Sequence, residues 1–362
     1  MPRIRREHAL AEVAAARGHD VTFIEQPSDV RWMRELGIGA WVSRLHGRTR
    51  LAEGAEDGVE VIERTTFLPP YRGSAAQLAE SALLGRILRR CDCPDVAVVA
   101  TTPWHWPAVS RLTRARKIFD CADDWAMLVP ARSHAIAVML DRIGLEADAV
   151  IAASPWLANL FARPEIALVP NGVHDALLAP LSMPAQTRSM AYAGTLSERL
   201  DAALLGSLLT ALPDWRLDLY GECRYRGCRD RPARELTGLL TEFAGRISWH
   251  GAVSRDDLAS CLDDARVLLI PHRPVGAVHG DSMKLYDYAA RGRPIISTLW
   301  SDGLPDAAPP GTYFAETAEQ FAAAITQSID HDDPRDVASR RAWAETHSWD
   351  SRWDAWAQAV FG

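Results

Sequence analysis

The chain has 362 residues and a formal net charge of −7, with a sequence pI near 5.9. Hydrophobic residues make up 48% and charged residues 24%, the balance of a folded globular protein. The acidic surplus argues against a general nucleic-acid binder, and no stretch approaches the run of about 18 apolar residues that a membrane helix needs.

Six Cys in a chain this long are no disulfide scaffold. Cys91-x-Cys93 and Cys223-x4-Cys228 lack the paired spacing of a structural zinc site, so no metal is expected and reduced, cytoplasmic thiols are the simpler reading. The opening Met1-Pro2-Arg3-Ile4-Arg5-Arg6-Glu7-His8 is basic without an apolar core and does not read as a signal peptide. Several of the 13 Trp residues sit in Trp/Pro/His contexts (Trp104, Trp106, Trp125 and Trp156); most Trp read as core or interdomain packing, while a flat apolar face lining a cleft stacks well on sugar rings.

Helical stretches alternate with short β-branched runs almost throughout, which predicts parallel α/β sheets. In the first half, strands are predicted at 21–25, 59–62, 96–100, 117–120, 149–152 and 166–169, with helices near 8–17, 75–90, 133–145 and 155–161. A Pro- and Ser-bearing stretch, 179–188, reads as a linker. The pattern then restarts, with strands at 190–193, 216–220, 246–249, 267–270, 294–297 and 312–314. Helices are predicted near 201–211, 233–243, 255–263, 283–291 and 318–329. The tail from Pro334 to Phe361 reads as wholly helical. The expected division is a first domain over 1–178, the linker, a second domain over 189–333 and terminal helices over 334–362 that cross back to the first.

A Rossmann-like half opens on a strand, yet this chain opens on what reads as the turn and helix that follow one. Loss of a central strand would expose unpaired backbone, so a coding start placed too far downstream is the favoured explanation over a genuine loss.

The segment Ser282 to Thr298 carries the most chemistry. It reads as a helix that begins at a Ser cap and ends at Gly292, followed by a Pro-led strand. Free N–H groups and the positive dipole end at the cap, with Lys284 in the first turn, suit a phosphate. Asp287, five residues on, is placed to accept hydrogen bonds from a pair of ribose hydroxyls. Diphosphate at the cap and ribose one turn along make a nucleotide site.

That segment, Lys284-Leu285-Tyr286-Asp287-Tyr288-Ala289-Ala290-Arg291-Gly292-Arg293-Pro294, resembles the nucleotide-sugar motif of retaining GT-B glycosyltransferases of family 4. Three further features stand in the order that the resemblance implies. Pro170-Asn171-Gly172-Val173-His174 is similar to the family's turn at the domain junction, with His174 in place of an Asp. Tyr192-Ala193-Gly194-Thr195 is similar to the glycine loop after the first donor-domain strand. There Gly194 lets backbone approach the donor phosphates, and Arg199 matches the residue that clamps the diphosphate. His250-Gly251 corresponds to a position near the nucleotide base.

The family's first acid lies eight positions before the ribose-binding acid, where this chain has His279. Asp281 is the candidate to serve instead. Phe119-Asp120-Cys121-Ala122-Asp123-Asp124-Trp125 resembles the signature of a subgroup near teichuronic-acid and other polysaccharide-building transferases.

The resemblance implies a GT-B fold of two facing Rossmann-like domains and a retaining hexosyltransferase that uses a nucleotide-diphosphate sugar. It calls on no cofactor and no metal. The acceptor would be a polysaccharide, a lipid-linked molecule or a natural product. Asp123, His105, Arg199 and Lys284 would be catalytic. Gly194, Thr195, Arg199, His250, Gly251, Asp281, Ser282, Met283, Lys284, Leu285 and Asp287 would hold the donor; Asp120, Asp123, Asp124 and Trp104 would hold the acceptor. No nucleic acid and no transmembrane segment are expected, and peripheral membrane contact stays open. Two alternatives remain beside this: a nucleotide-sugar epimerase of the same fold, or a nucleotide-binding scaffold without turnover.

Overall fold

The β-branched runs do pair as parallel strands, in two separate units. The computed structural model describes residues 5–29, 37–44, 48–51, 59–182, 188–225, 228, 231–273, 281–298, 308–330 and 333–362. One unit gathers the described residues between Asn171 and Ser351. The other gathers those up to Pro170 together with Arg352–Gly362.

In the unit that starts the chain, the helix Arg6–Ala16 leads into β1 (Val21–Ile24). β1 runs parallel to β4 (Val59–Glu63), which also takes β3 (Arg48–Leu51) antiparallel on its far side. Two residues each of β2 (Ser28–Asp29) and β5 (Thr65–Thr66) pair in parallel. A second sheet, all parallel, has the order β6 (Ala97–Ala100), β7 (Arg116–Cys121), β8 (Ala149–Ala152), β9 (Ala167–Leu168). Its core joins Phe119, Cys121 and Val150 of the strands to Leu84, Trp106 and Ile143 of the flanking helices. The short elements β2, β3 and β5 and the helix Ile38–Ser43 are additions to the sequence-based expectation. Each is six residues or fewer, too short for a hydrophobic period to register.

The other unit contains one six-stranded parallel sheet. Its order is β12 (Ile247–Gly251), β11 (Arg216–Tyr220), β10 (Ser189–Ala193), β13 (Val267–Ile270), β14 (Ile295–Ser297), β15 (Thr312–Phe314). In sequence terms this is strand order 3-2-1-4-5-6, a doubly wound sheet whose direction of winding reverses between β10 and β13. Alternate residues of β10 and β13 enter opposite cores, and both faces are covered, so these strands read as continuous apolar runs rather than alternating ones. Met190, Tyr192, Val267 and Leu269 meet Leu205, Leu236 and Phe321 on one side. Ala191, Leu268 and Ile270 meet Leu262, Leu285 and Ala344 on the other.

The motif helix is observed at Met283–Ala290, with Gly292 at φ +62 just beyond it. A Cβ on Gly292 would lie 2.8 Å from Val337 Cγ1, so both backbone and packing demand glycine. Arg291 is 1% exposed. It grips both oxygens of Asp263 at 2.9 and 2.6 Å and donates to the carbonyls of Leu177, Ala179 and Pro180. An ion pair this deep must satisfy all its donors to offset its desolvation.

The tail is helical as two helices, Pro334–Glu345 and Trp349–Phe361. The break falls where the Asn171-Gly172-Val173 turn docks: Val173 N donates to His347 O at 2.9 Å, and a Cβ on Gly172 would meet Trp349 N at 2.9 Å. The final helix starts among residues of one unit, and from Arg352 onward it is grouped with the other. There Trp356 Nε1 donates to Asp120 Oδ2 at 3.2 Å, beside the Arg6–Asp120 ion pair.

Candidate nucleotide-sugar site

In an open doubly wound sheet, ligands bind at the carboxyl ends of the strands, where the order reverses. Here that places Gly194 after β10 and Pro271-His272 after β13 side by side. Asp201 N donates to Pro271 O at 2.9 Å and Arg273 N to Arg199 O at 2.8 Å. The strand ends are linked by bare backbone: Gly194 N donates to Tyr220 O at 2.8 Å and Gly221 N to Gly251 O at 2.6 Å. Gly194, Gly221 and Gly251 have φ of +156, +136 and +73, conformations that L side chains rarely adopt. A Cβ on Gly221 would lie 1.9 Å from Gly194 O, and one on Gly194 would lie 2.4 Å from Lys284 Cε.

Lys284 thus lies directly against the Gly194 loop, its Nζ 5.5 Å from the Tyr192 ring centre. It sits in the first turn of the motif helix, with no acidic residue in that turn. A cation at the positive end of a helix dipole costs about 0.3–1 kcal/mol, a conflict that a bound anion would relieve. Ser282 occupies the cap position with φ −85 and ψ 114, and its hydroxyl makes no capping bond to the helix. Met283 and Asp287 are half-buried on the helix, while Leu285 is buried beneath it. The Thr195 carbonyl accepts from Tyr192 Oη at 3.2 Å. Arg199 is exposed, just ahead of the helix Ala202–Ala211, whose cap Asp201 accepts from Leu204 N at 3.0 Å.

Asp281 holds the helix entrance. Its Oδ2 accepts from Asn171 N at 2.5 Å and Tyr286 Oη at 2.7 Å, while Asn171 Nδ2 donates to its carbonyl at 2.7 Å. The candidate replacement for the family's first acid therefore ties the Pro-Asn-Gly turn to the motif helix. His279 lies outside the described residues. His250, at the end of β12, stacks on Tyr220 with centroids 4.7 Å apart and meets Asp218 Oδ1 at 2.6 Å.

Three polar side chains at this site are not among the candidate site residues: Tyr192 and Tyr288, which stand inside the quoted motifs, and His272, which stands in none. Burial, with the Lys284 and Arg199 charges beside it, holds His272 well below the usual histidine pKa. Tyr288 Oη accepts from Ala193 N at 2.8 Å, fixing the end of β10. Burial pushes its own pKa well up.

Two of the candidate residues of the other unit, Asp120 and Asp124, have structural work. Asp120 is 2% exposed and takes Arg6 Nε on both oxygens at 3.0 Å. Asp124 caps the turn Trp125–Leu128, accepting from Ala126 N and Met127 N at 3.1 Å. Asp123 is half-buried between them. With Asp120 and Asp124 it helps raise the thiol pKa of Cys121, which burial raises first. Trp104 is 7% exposed, edge-on to Trp125 at 4.7 Å and tilted against Tyr71. With Gln77, Arg132 and Met139, Trp104 and Tyr71 line a small hollow of about 20 Å³. His105 is also enclosed, and its Nε2 is 3.6 Å from Glu80 Oε1. That carboxylate is already paired with Arg64 at 2.7 Å, so burial and the Arg64 charge push His105 down to about 3.

Among the described residues no cluster of three His, Cys, Asp or Glu could hold a metal ion, and no helix is long and apolar enough to cross a membrane.

Residues 192–331 match the model of the family described as glycosyl transferases group 1. Among solved structures, sucrose-phosphate synthase from Thermosynechococcus elongatus superposes with a TM-score of 0.77 at 16% identity, over 97% of this chain and 91% of that one. Anabaena HepE in complex with UDP-glucose gives 0.71 at 15% identity, over 99% and 96%. A Rickettsia africae glycosyltransferase gives 0.65 at 13% identity, over 98% and 95%. Comparison with curated proteins finds no match. The fold is therefore GT-B, and the stretch from Tyr192 to His331, which carries the candidate site, is similar to glycosyltransferases in sequence as well.

Proposed function

We propose that this protein is a retaining glycosyltransferase that moves a hexosyl group from a nucleotide-diphosphate donor to a polysaccharide, lipid-linked or natural-product acceptor. One observation carries the reading: Lys284, the start of the motif helix and the Gly194 loop meet at the point where the sheet's strand order reverses. UDP is the first nucleotide to test, because the similar HepE structure is a UDP-glucose complex.

In this reading the helix N–H groups, Lys284 and Arg199 take up the charge that grows on the departing diphosphate. Asp287 accepts from the ribose hydroxyls, and His250 with Tyr220 stacks near the base. The anomeric carbon–oxygen bond to phosphate breaks as the acceptor oxygen bonds the same face. The acceptor's proton passes to the departing phosphate oxygen. These basic groups do the electrostatic work, so neither a metal nor a cofactor is called on. The acceptor lies on the Trp104 and Asp123 side of the chain, and the enzyme works in the cytoplasm.

Thermal-shift measurement with UDP, GDP, TDP and ADP tests the reading. A nucleotide at a hundred times its Kd adds about 2.7 kcal/mol, or about 3–4 °C for a chain of this size. A selective rise names the donor class, and sugar release from that donor then shows turnover. One observation favours a second reading, a nucleotide-binding scaffold: the Asp281 carboxylate is committed to Asn171 and Tyr286. Tight nucleotide binding without turnover of any donor would select it.

A further inference from the structure

We propose that His272, acting through Tyr192, holds the Lys284 ammonium over the Gly194 loop before a diphosphate arrives. This rests on the nucleotide-sugar reading and assigns His272 and Tyr192 as positioning residues.

The direction of the hydrogen bonds follows from elementary chemistry. Tyr192 Oη lies 3.2 Å from the Thr195 carbonyl, which can only accept, so the phenol proton is spent there. The same oxygen lies 3.5 Å from His272 Nε2, and with the phenol proton on Thr195 it is the imidazole that donates. In this proposal His272 is therefore in its Nε2–H tautomer. The phenol oxygen, receiving one proton and giving another, is held from both sides.

Lys284 completes the arrangement. Its Nζ lies 5.5 Å from the Tyr192 ring centre, and a Cβ placed on Gly194 would be 3.0 Å from both Tyr192 Oη and Lys284 Nζ. Hydroxyl and ammonium thus bracket one small space above the glycine. The backbone that carries the imidazole is anchored: His272 N donates to Ile270 O at 3.1 Å and Thr298 Oγ1 at 3.2 Å, and Arg273 N ties the next residue to Arg199 O.

Neutral imidazole suits the position. A charged ring would set a third cation beside Lys284 and Arg199, and these two together with burial keep it uncharged. The ring supplies a donor without adding to the repulsion that an empty phosphate site already bears.

Calorimetric titration of inorganic pyrophosphate and of the four nucleoside diphosphates into wild type, His272→Gln, His272→Phe and Tyr192→Phe tests the proposal. Glutamine can place an amide N–H near Nε2; phenylalanine fills the space without a donor. His272→Phe and Tyr192→Phe are expected to weaken pyrophosphate and the preferred diphosphate about tenfold, the loss of an aligned charged contact. His272→Gln should stay within about threefold of wild type, and affinity for the corresponding nucleoside should not change. Unchanged diphosphate affinity in His272→Phe overturns the proposal, and so does a His272→Gln loss as large as that of His272→Phe. Should His272→Phe fail to fold, Tyr192→Phe decides by the same thresholds. Wild type binding none of the five ligands would instead remove the nucleotide-site reading itself.

Discussion

Tyr288 reaches 95 positions back along the chain to accept the Ala193 amide proton at 2.8 Å, joining the motif helix to the last residue of β10. That bond fixes the distance between the Gly194 turn and the helix that carries Lys284. Tyr288→Phe leaves a backbone N–H without its partner, which should cost about 1–3 kcal/mol in urea unfolding. Nucleotide affinity should fall in the same variant, because the two halves of the proposed phosphate site lose their brace.

Gly194→Ala and Gly221→Ala should fail in different ways. The first places a methyl against Lys284 Cε, the flexible end of a side chain, so Lys284 is displaced. Diphosphate affinity should drop more than tenfold, about 1.4 kcal/mol or more, with a smaller change in Tm. The second drives a methyl into the Gly194 carbonyl, which cannot swing aside, and should lower the Tm sharply or abolish folding.

Removing one partner of the Arg291–Asp263 pair should be severe. Arg291→Met leaves the fully buried Asp263 carboxylate without its bidentate partner, at a cost of about 3–5 kcal/mol. The double variant Arg291→Met/Asp263→Leu should recover part of that loss, as read by urea unfolding. A double variant no more stable than Arg291→Met would show that the carbonyls at 177, 179 and 180 are the main reason for the arginine.

His105 gives the protein a defined acid response. Its folded pKa, about 3, lies below its unfolded value of about 6.5. The unfolded chain therefore binds the extra proton more readily. The stability from neutral His105 is fully present above pH 6.5 and declines as pH falls from there toward 3. His272 acts in the same direction. His105→Gln should lose less stability than wild type between pH 7.5 and 5 in urea titrations; parallel curves would show that the ring titrates normally.

The motif helix, the glycine loop and nearly every regular strand were legible because each writes itself locally: a cap, a terminal glycine, a β-branched run. Arg291 was legible only as part of a motif, since its partner Asp263 lies 28 residues away and nothing in the sequence pairs them. The same holds for Asp120, whose partner Arg6 stands 114 positions earlier. An acid at a strand end looks alike whether it faces a substrate or a buried arginine. The contacts of Tyr192, Tyr288 and His272 were hidden for the converse reason. The two tyrosines stand inside motifs and His272 in none, but each polar atom finds its partner only once parallel strands bring β10 and β13 together.

The hydrogen-bonded row through Gly194, Tyr220, Gly221 and Gly251 leaves little for mutation to vary. Its contacts are main-chain atoms, and two of its glycines have no room for even a methyl group. Efforts to retune which donor this protein accepts should therefore leave that floor alone and begin with the side chains of the proposed donor site, His250, Arg199 and Asp287.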